Sequence, residues 1–367
     1  MSYTFELNNE VKDANLTSGK VKAKSPVVEI FSAMVNGEDL APYGKKADNA
    51  AKYIMGLGSK ANMGDPIAKS ELNTIRRFAM EPVLMKEIKL LSIFGNYKQI
   101  GYNETPEVEI PIYANVDAKI QAAGQDVKFP VIRKERKGIT TTTISGGHAV
   151  DYRKAALGDM QEENELMEQV RIDIRNKATR YVVVTIYNAI KNASGVKYFF
   201  EGSGLTKTGL DGVLTKVRRW GKPTFSGDYS LVSQVNGFVG YQGVTPTVNG
   251  ISEKVMNEIQ NSGLVGMYNG AIVSEIPNPY DISRMNSDGD NFETMLDAGL
   301  GFVIPTGMQS PIYTVARGGL TSCHGLDVTT GTEMTRFDLE VGALVAPGQE
   351  YRIGLVHDKN LDDLADL

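Results

Sequence analysis

Few residues in this chain have the types and spacing that chemistry requires. Its three histidines, His148, His324 and His357, lie far apart, and Cys323-His324 is the one Cys/His neighbour pair. A nucleophile with its base, or a metal site, needs a third partner that the spacing does not nominate. A small buried thiol beside a surface imidazole explains the pair more simply. Gly202-Ser203-Gly204 and Gly318-Gly319 are glycine loops, but neither is followed by the Lys and Ser/Thr of a phosphate cradle. Asn286-Ser287-Asp288-Gly289-Asp290-Asn291 gathers oxygen ligands, yet its glycine and the distal glutamate of a calcium loop are not at the required offsets. A solvated turn is the simpler reading. No catalytic, metal-binding or cofactor-binding set emerges, and no cofactor is expected.

One charged run stands apart: Arg133-Lys134-Glu135-Arg136-Lys137. It reads as a solvated ribbon edge, where charge wards off unwanted strand pairing, or as a docking patch for an acidic neighbour. The two weigh evenly. The element that carries it is a strand-patterned excursion over residues 102–147. Glu107-Val108-Glu109-Ile110-Pro111-Ile112-Tyr113 alternates polar and apolar, as does Asp126-Val127-Lys128-Phe129-Pro130-Val131. A proline inside each run argues for edge or two-stranded pairing. Ala122, Ala123 and Gly124 mark the turn, and residues 139–144 return as a Thr-rich strand. The excursion shows no core of its own, and a two-stranded ribbon alone is marginal in water. It therefore reads as an arm that lies on another copy of the same chain.

The excursion empties into a long helical pattern over residues 159–193. Leu166, Val170, Ile174, Ala178 and Val182 recur every four residues, and Val183, Ile186, Ala189 and Ile190 extend the stripe. A spacing of four drifts about 40° per step, so the stripe winds around a rod roughly 50 Å long. Glu162, Glu163 and Glu165 crowd its first turns, where they complement the helix dipole. Arg171 and Lys177 read as solvated.

Upstream, residues 1–64 are polar and Lys-rich and read as an extended arm. Val27-Val28-Glu29-Ile30-Phe31 and a short helix over residues 47–57, closed by Gly56 and Gly58, interrupt it. A helix starts near Lys69 with Ser70 as its cap, breaks at Glu81-Pro82 and resumes to Phe94, where Gly95 stops it. Downstream, the spacing predicts helices over 210–220 and, capped by Ser252, over 253–259. Strands are expected over 270–277, 302–305, 311–316, 335–339 and 351–357.

The chain has 367 residues, 41% hydrophobic and 23% charged, which suggests two or three units of ordinary globular composition. A net charge of −5 does not suggest an avid nucleic-acid binder. The single cysteine rules out an intramolecular disulfide and fits a reducing compartment. No apolar stretch reaches the roughly 18 residues of a membrane span, and the start lacks the regions of a signal peptide.

In order, length and pattern these elements resemble the major capsid proteins of tailed bacteriophages, the Hong Kong 97-type fold. The resemblance covers nearly the whole chain, although no single motif is invariant. It implies an α+β fold: an N-terminal arm with a helical segment over 1–100, an extended β-hairpin loop over 101–147, a peripheral domain with its spine helix over 148–204 and 311–367, and an axial domain over 205–310. It implies no enzyme but a major capsid protein that self-assembles into hexamers and pentamers of an icosahedral shell. The shell would enclose double-stranded phage DNA, held by weak non-specific contact. Separate scaffolding, portal and decoration proteins are the implied partners, and the virion capsid, built in the host bacterial cytoplasm, is the implied location; no membrane is implied. The inter-subunit candidates are Arg133, Lys134, Arg136 and Lys137 in the charged run. Lys119 and Lys128 join them by location in the loop, where some capsids of this fold crosslink a lysine to a neighbour. An encapsulin-like bacterial compartment is the alternative within the fold, and a hydrolase with an unrecognised site the alternative of another class.

Overall fold

The computed structural model describes residues 26–35, 39–112, 120, 133–150, 152–157, 161–238, 259, 261–285, 289, 291–307, 310–326 and 333–361. The chain forms two units. Met1–Ile93, Thr142–Val183 and Ala316–Val341 make the first, and Phe94–Thr141, Val184–Val315 and Gly342–Leu367 the second.

The first unit is built on helices that begin earlier than the polar composition suggested. The expected extended arm contains α1 (Pro26–Val35) and α2 (Lys45–Asn62). Val27, Ile30 and Phe31 bury one side of α1, and Ala50, Ile54, Leu57 and Ala61 one side of α2. That burial outweighs the cost of about 1 kcal/mol for each interior glycine, so α2 runs straight through Gly56 and Gly58. α3 (Pro66–Ile88) starts before the expected Ser70 cap, because Asp65 caps it: its carboxylate accepts from Ile67 N–H at 3.0 Å, and Pro66 takes the first turn.

α3 also runs through Pro82, where a break was expected. Proline in a helix interior costs about 3 kcal/mol. Beyond it, Leu84 and Ile88 are fully buried, each worth about 1.5–3 kcal/mol, so continuing the helix wins. Glu81, one residue earlier, accepts from Leu320 N–H at 3.3 Å, and a Cβ at Gly319 would overlap its carboxylate. Burial lifts the Glu81 carboxyl above the usual carboxylate range, against the lowering pull of Arg77 and that N–H. Arg76 is fully buried, donates to Asn73 Oδ1 at 2.8 Å and lies over the Tyr152 ring. Tyr152 opens the short helix α4 (Tyr152–Leu157).

The long helix is α5 (Gln161–Lys191), close to its expected span. Val170, Ile174, Ala178 and Val182 are buried as read, but Leu166 is 41% exposed and Met167 takes the buried place. A stripe that winds with a four-residue step has left the core by Leu166. Gly146, in β4 (Thr141–Val150), faces α5 so closely that a Cβ there would lie 3.0 Å from Ile174. Arg171 is not solvated: it forms a half-buried ion pair with Glu87 of α3.

The second unit holds the larger sheet. Its strands are β5 (Tyr198–Gly202), β6 (Lys222–Gly227), β7 (Met267–Tyr268), β8 (Ala271–Glu275), β11 (Leu300–Thr306) and β14 (Gly354–Asp358), in the order β5-β14-β11-β6-β8-β7. β14 runs parallel to β5 and β6 parallel to β8; the other pairs are antiparallel. The helix Lys207–Val217, capped by Thr206, lays Leu210, Val213, Leu214 and Val217 among Phe225, Val303 and Val356. β9 (Tyr280–Met285) and β10 (Phe292–Thr294) form a separate two-stranded ribbon. The closing strands are longer than their patterns: β12 (Ile312–Leu326) and β13 (Glu333–Val345) lie in a sheet ordered β1-β12-β13-β4, with β1 at Asn96–Ile100. Of the expected helix over 253–259, only Ile259, which is buried, is among the described residues.

Candidate inter-subunit surface

The charged run is itself a strand, not a step between strands. β3 (Arg133–Gly138) pairs antiparallel with β2 (Glu107–Ile112), with Glu109 opposite Arg136 and Ile110 opposite Glu135. Because side chains alternate across a strand, Val108 and Ile110 share one face and Glu107, Glu109, Lys134 and Arg136 the other. Ile110 is buried, and with Ile100, Ile139, Tyr313, Val315 and Ala346 it forms a small core at the ribbon's base. The base of the excursion is therefore packed on Ile100, Tyr313, Val315 and Ala346 from outside it, a buried attachment that the sequence reading did not foresee. Gln349 adds a hydrogen bond to the Pro111 carbonyl at 3.0 Å.

The outer face is exposed and largely self-paired. Glu109 takes Lys134 at 3.4 Å and Arg136 at 3.3 Å, while Lys137 and Glu135, opposite Val108 and Ile110, pair at 2.6 Å on the other face. Hydrogen bonding and charge from Lys134, then from Arg136, hold the Glu109 carboxyl below the usual carboxylate range. Exposed pairs of this kind contribute little to folding. Arg133 is exposed and, among the described residues, carries no ion pair. The structure thus brings Arg133, Lys134, Arg136 and Lys137 onto one short strand. Lys119 and Lys128 lie outside the described residues.

The dispersed histidines go to three different places. His148 stacks on Phe337, with ring centroids 6.0 Å apart. His324 is exposed, and so is Cys323, against the expected buried thiol. Residues 323–325 are exposed in succession. An alternating strand under a sheet would bury every second one, so this end of β12 projects clear of the core. His357 is buried and lies between Glu201 and Asp297. No sequence signal joined those three, because each comes from a different strand or turn. Among the described residues no group of three or more His, Cys, Asp or Glu could hold a metal ion, and no helix is long and apolar enough to cross a membrane. The calcium-like segment falls mostly outside the described residues.

The described residues form a ribbon, a long helix and closing strands, in the order the resemblance implied. A family model spans residues 6–357 and sets the class: a bacteriophage capsid protein, a structural subunit of a shell. The chain belongs to that family, described as the SPbeta prophage-derived putative capsid protein YonB. No curated protein matches the chain. Solved structures that are similar include the capsid of a native GTA particle (10% identity, TM-score 0.47, 74% of this chain and 90% of that one). A structure of Mycobacterium phage Che8 (11%, 0.44, 69% and 84%) and the holo-SrpI encapsulin complex of Synechococcus elongatus PCC 7942 (11%, 0.42, 74% and 88%) are also similar. Each TM-score is below 0.5, and the assignment rests on the family model.

Proposed function

We propose that this chain is the major shell subunit of a phage particle, assembling as hexamers and pentamers into an icosahedral shell around double-stranded DNA. The match of the prophage capsid family to residues 6–357 carries the reading. Its role is mechanical, with no active site. In this reading the axial domain spans residues 205–310, the peripheral domain 148–204 and 311–367, and the loop 101–147 reaches a neighbouring subunit through Arg133, Lys134, Arg136 and Lys137. Scaffolding, portal and decoration proteins are separate chains. DNA contact is weak and without sequence preference, in keeping with a net charge of −5.

Electron microscopy of the purified protein tests this. Closed icosahedral particles, with DNA inside when recovered from phage-producing cells, are the expected result. Folded protein that never forms particles would overturn it. Particles that enclose a protein cargo and no DNA would establish the encapsulin-like compartment instead.

A further inference from the structure

Four large apolar side chains cluster on the ribbon of β9 and β10. Tyr280 is 56% exposed, Ile282 79%, Met285 59% and Phe292 41%. Exposed apolar clusters of this sort mark interaction sites when they gather on one element and not singly over a surface. The pairing explains how they are displayed. Phe292 pairs with Met285, but the next residue, Glu293, pairs with Asp281. Ile282, Ser283 and Arg284 thus have no partner across the ribbon, and Ile282, at this break in the ladder, is the most exposed of the four. Asp281 and Glu293 stand opposite each other, and Arg284 approaches both at 3.9 Å, offsetting their repulsion.

A two-stranded ribbon is marginal by itself, yet this one has a fixed base. The Asn278 side-chain amide donates to Asp228 Oδ2 at 2.8 Å and to the Leu296 carbonyl at 2.9 Å, and its Oδ1 accepts from Leu296 N–H at 2.8 Å. Met295 N–H closes the same end on the Pro279 carbonyl at 3.0 Å. Asp228 is the cap of the helix Tyr229–Val232, so the ribbon is tied to the body of its unit. The sequence therefore maintains an exposed apolar surface along an anchored ribbon. That surface is pre-organised, which lowers the ordering cost of binding.

We propose that this apolar ribbon surface is an assembly contact that docks on a second copy of this chain. The proposal rests on the shell reading. A subunit of a closed shell meets copies of itself on its flanks, and an apolar patch covered only on assembly has a second copy as its natural occupant. The contact is separate from the charged ribbon of β2 and β3.

The test compares wild type with Ile282→Asp and with Tyr280→Ser/Phe292→Ser, using sedimentation for particle yield and circular dichroism for folding. All three should fold alike, since these side chains are exposed, and both variants should lose at least tenfold in particle yield. Variants that form particles at wild-type yield would overturn the contact while leaving the shell reading intact. Wild-type protein that is folded but forms no particle would overturn the shell reading and this contact with it. Hydrogen exchange provides a readout independent of any variant. Backbone amides over 280–285 and 292–294 should be protected more strongly in wild-type particles than in unassembled subunits, and equal exchange in the two would overturn the contact.

Discussion

Asp297, whose side chain is completely buried, faces His357 across 3.2 Å between Oδ2 and Nε2, close enough for an ion pair though not aligned as a hydrogen bond. The other ring nitrogen, Nδ1, lies 3.3 Å from Glu201 Oε1. Both ring nitrogens thus face carboxylate oxygens. The Tyr187 ring covers the imidazole edge-on with centroids 5.6 Å apart, and Lys359 balances Glu201 at 3.3 Å. Asp297 precedes β11, Glu201 lies in β5 and His357 in β14, so one side chain ties three parts of the sheet.

Removing either partner would leave a buried polar group without its neighbour, at about 1–3 kcal/mol. Asp297→Asn and His357→Gln should each lower the denaturation midpoint by that order. The double variant should cost less than the two added together, because they share one interaction. Single variants within ~0.5 kcal/mol of wild type would show the cluster to be inert.

Glu81 sets a pH dependence with a defined sign. Burial raises its folded value above the ordinary carboxylate range, so the native state binds this proton more tightly than the unfolded chain. Its contribution is most favourable below the ordinary glutamate value of about 4.3 and declines as pH rises through the folded value. Glu81→Gln can still accept from Leu320 N–H and has no charge to bury. Melting curves of variant and wild type should separate in favour of the variant as pH rises from about 4 to 8. Parallel curves, or a less stable variant at the upper end, would contradict this.

Three sites divide the long helix energetically. Val182 is fully buried, and Val182→Asp would bury an unpaired carboxylate at a cost of several kcal/mol, about 4 or more. Arg171→Ala removes the half-buried partner of Glu87 and should cost about 2 kcal/mol. Lys177 pairs with Asp173 in the open at 2.7 Å, so Lys177→Ala should stay within ~0.5 kcal/mol. Chemical denaturation of the three gives the order directly, and Lys177→Ala costing as much as Arg171→Ala would put the helix in the wrong phase.

The charged ribbon should matter for assembly and hardly at all for folding. Deleting residues 102–147 is too blunt a probe, because it takes Ile110 and Ile139 out of a core. Lys134→Glu/Arg136→Glu reverses the outer face and leaves that core alone. Melting should move by no more than about 2 °C, while particle yield should fall severalfold. Unchanged yield would return the run to the role of a solvated edge.

The local code of this chain was legible where one element's own period decides burial. Val170, Ile174, Ala178 and Val182 announce the long helix, and Glu107 to Ile112 alternates as a ribbon strand must, because a four-residue or two-residue repeat needs only a generic apolar neighbour. The charged run was legible as a place but not as a strand, since Arg133 to Gly138 gains its pairing from β2, with 20 residues of chain between their near ends. Pro82 shows the limit from the other side: local sterics say stop, and the burial of Leu84 and Ile88 overrides them. Short strands such as β5, β6, β9 and β10 exist only because partners offer ladders, and the apolar display of Ile282 depends on a bulge that only pairing creates. The union of Glu201, Asp297 and His357 lay furthest from reach. Their positions follow no spacing, and sheet order alone brings them together, because the energy that joins them is paid out between strands and not along the chain.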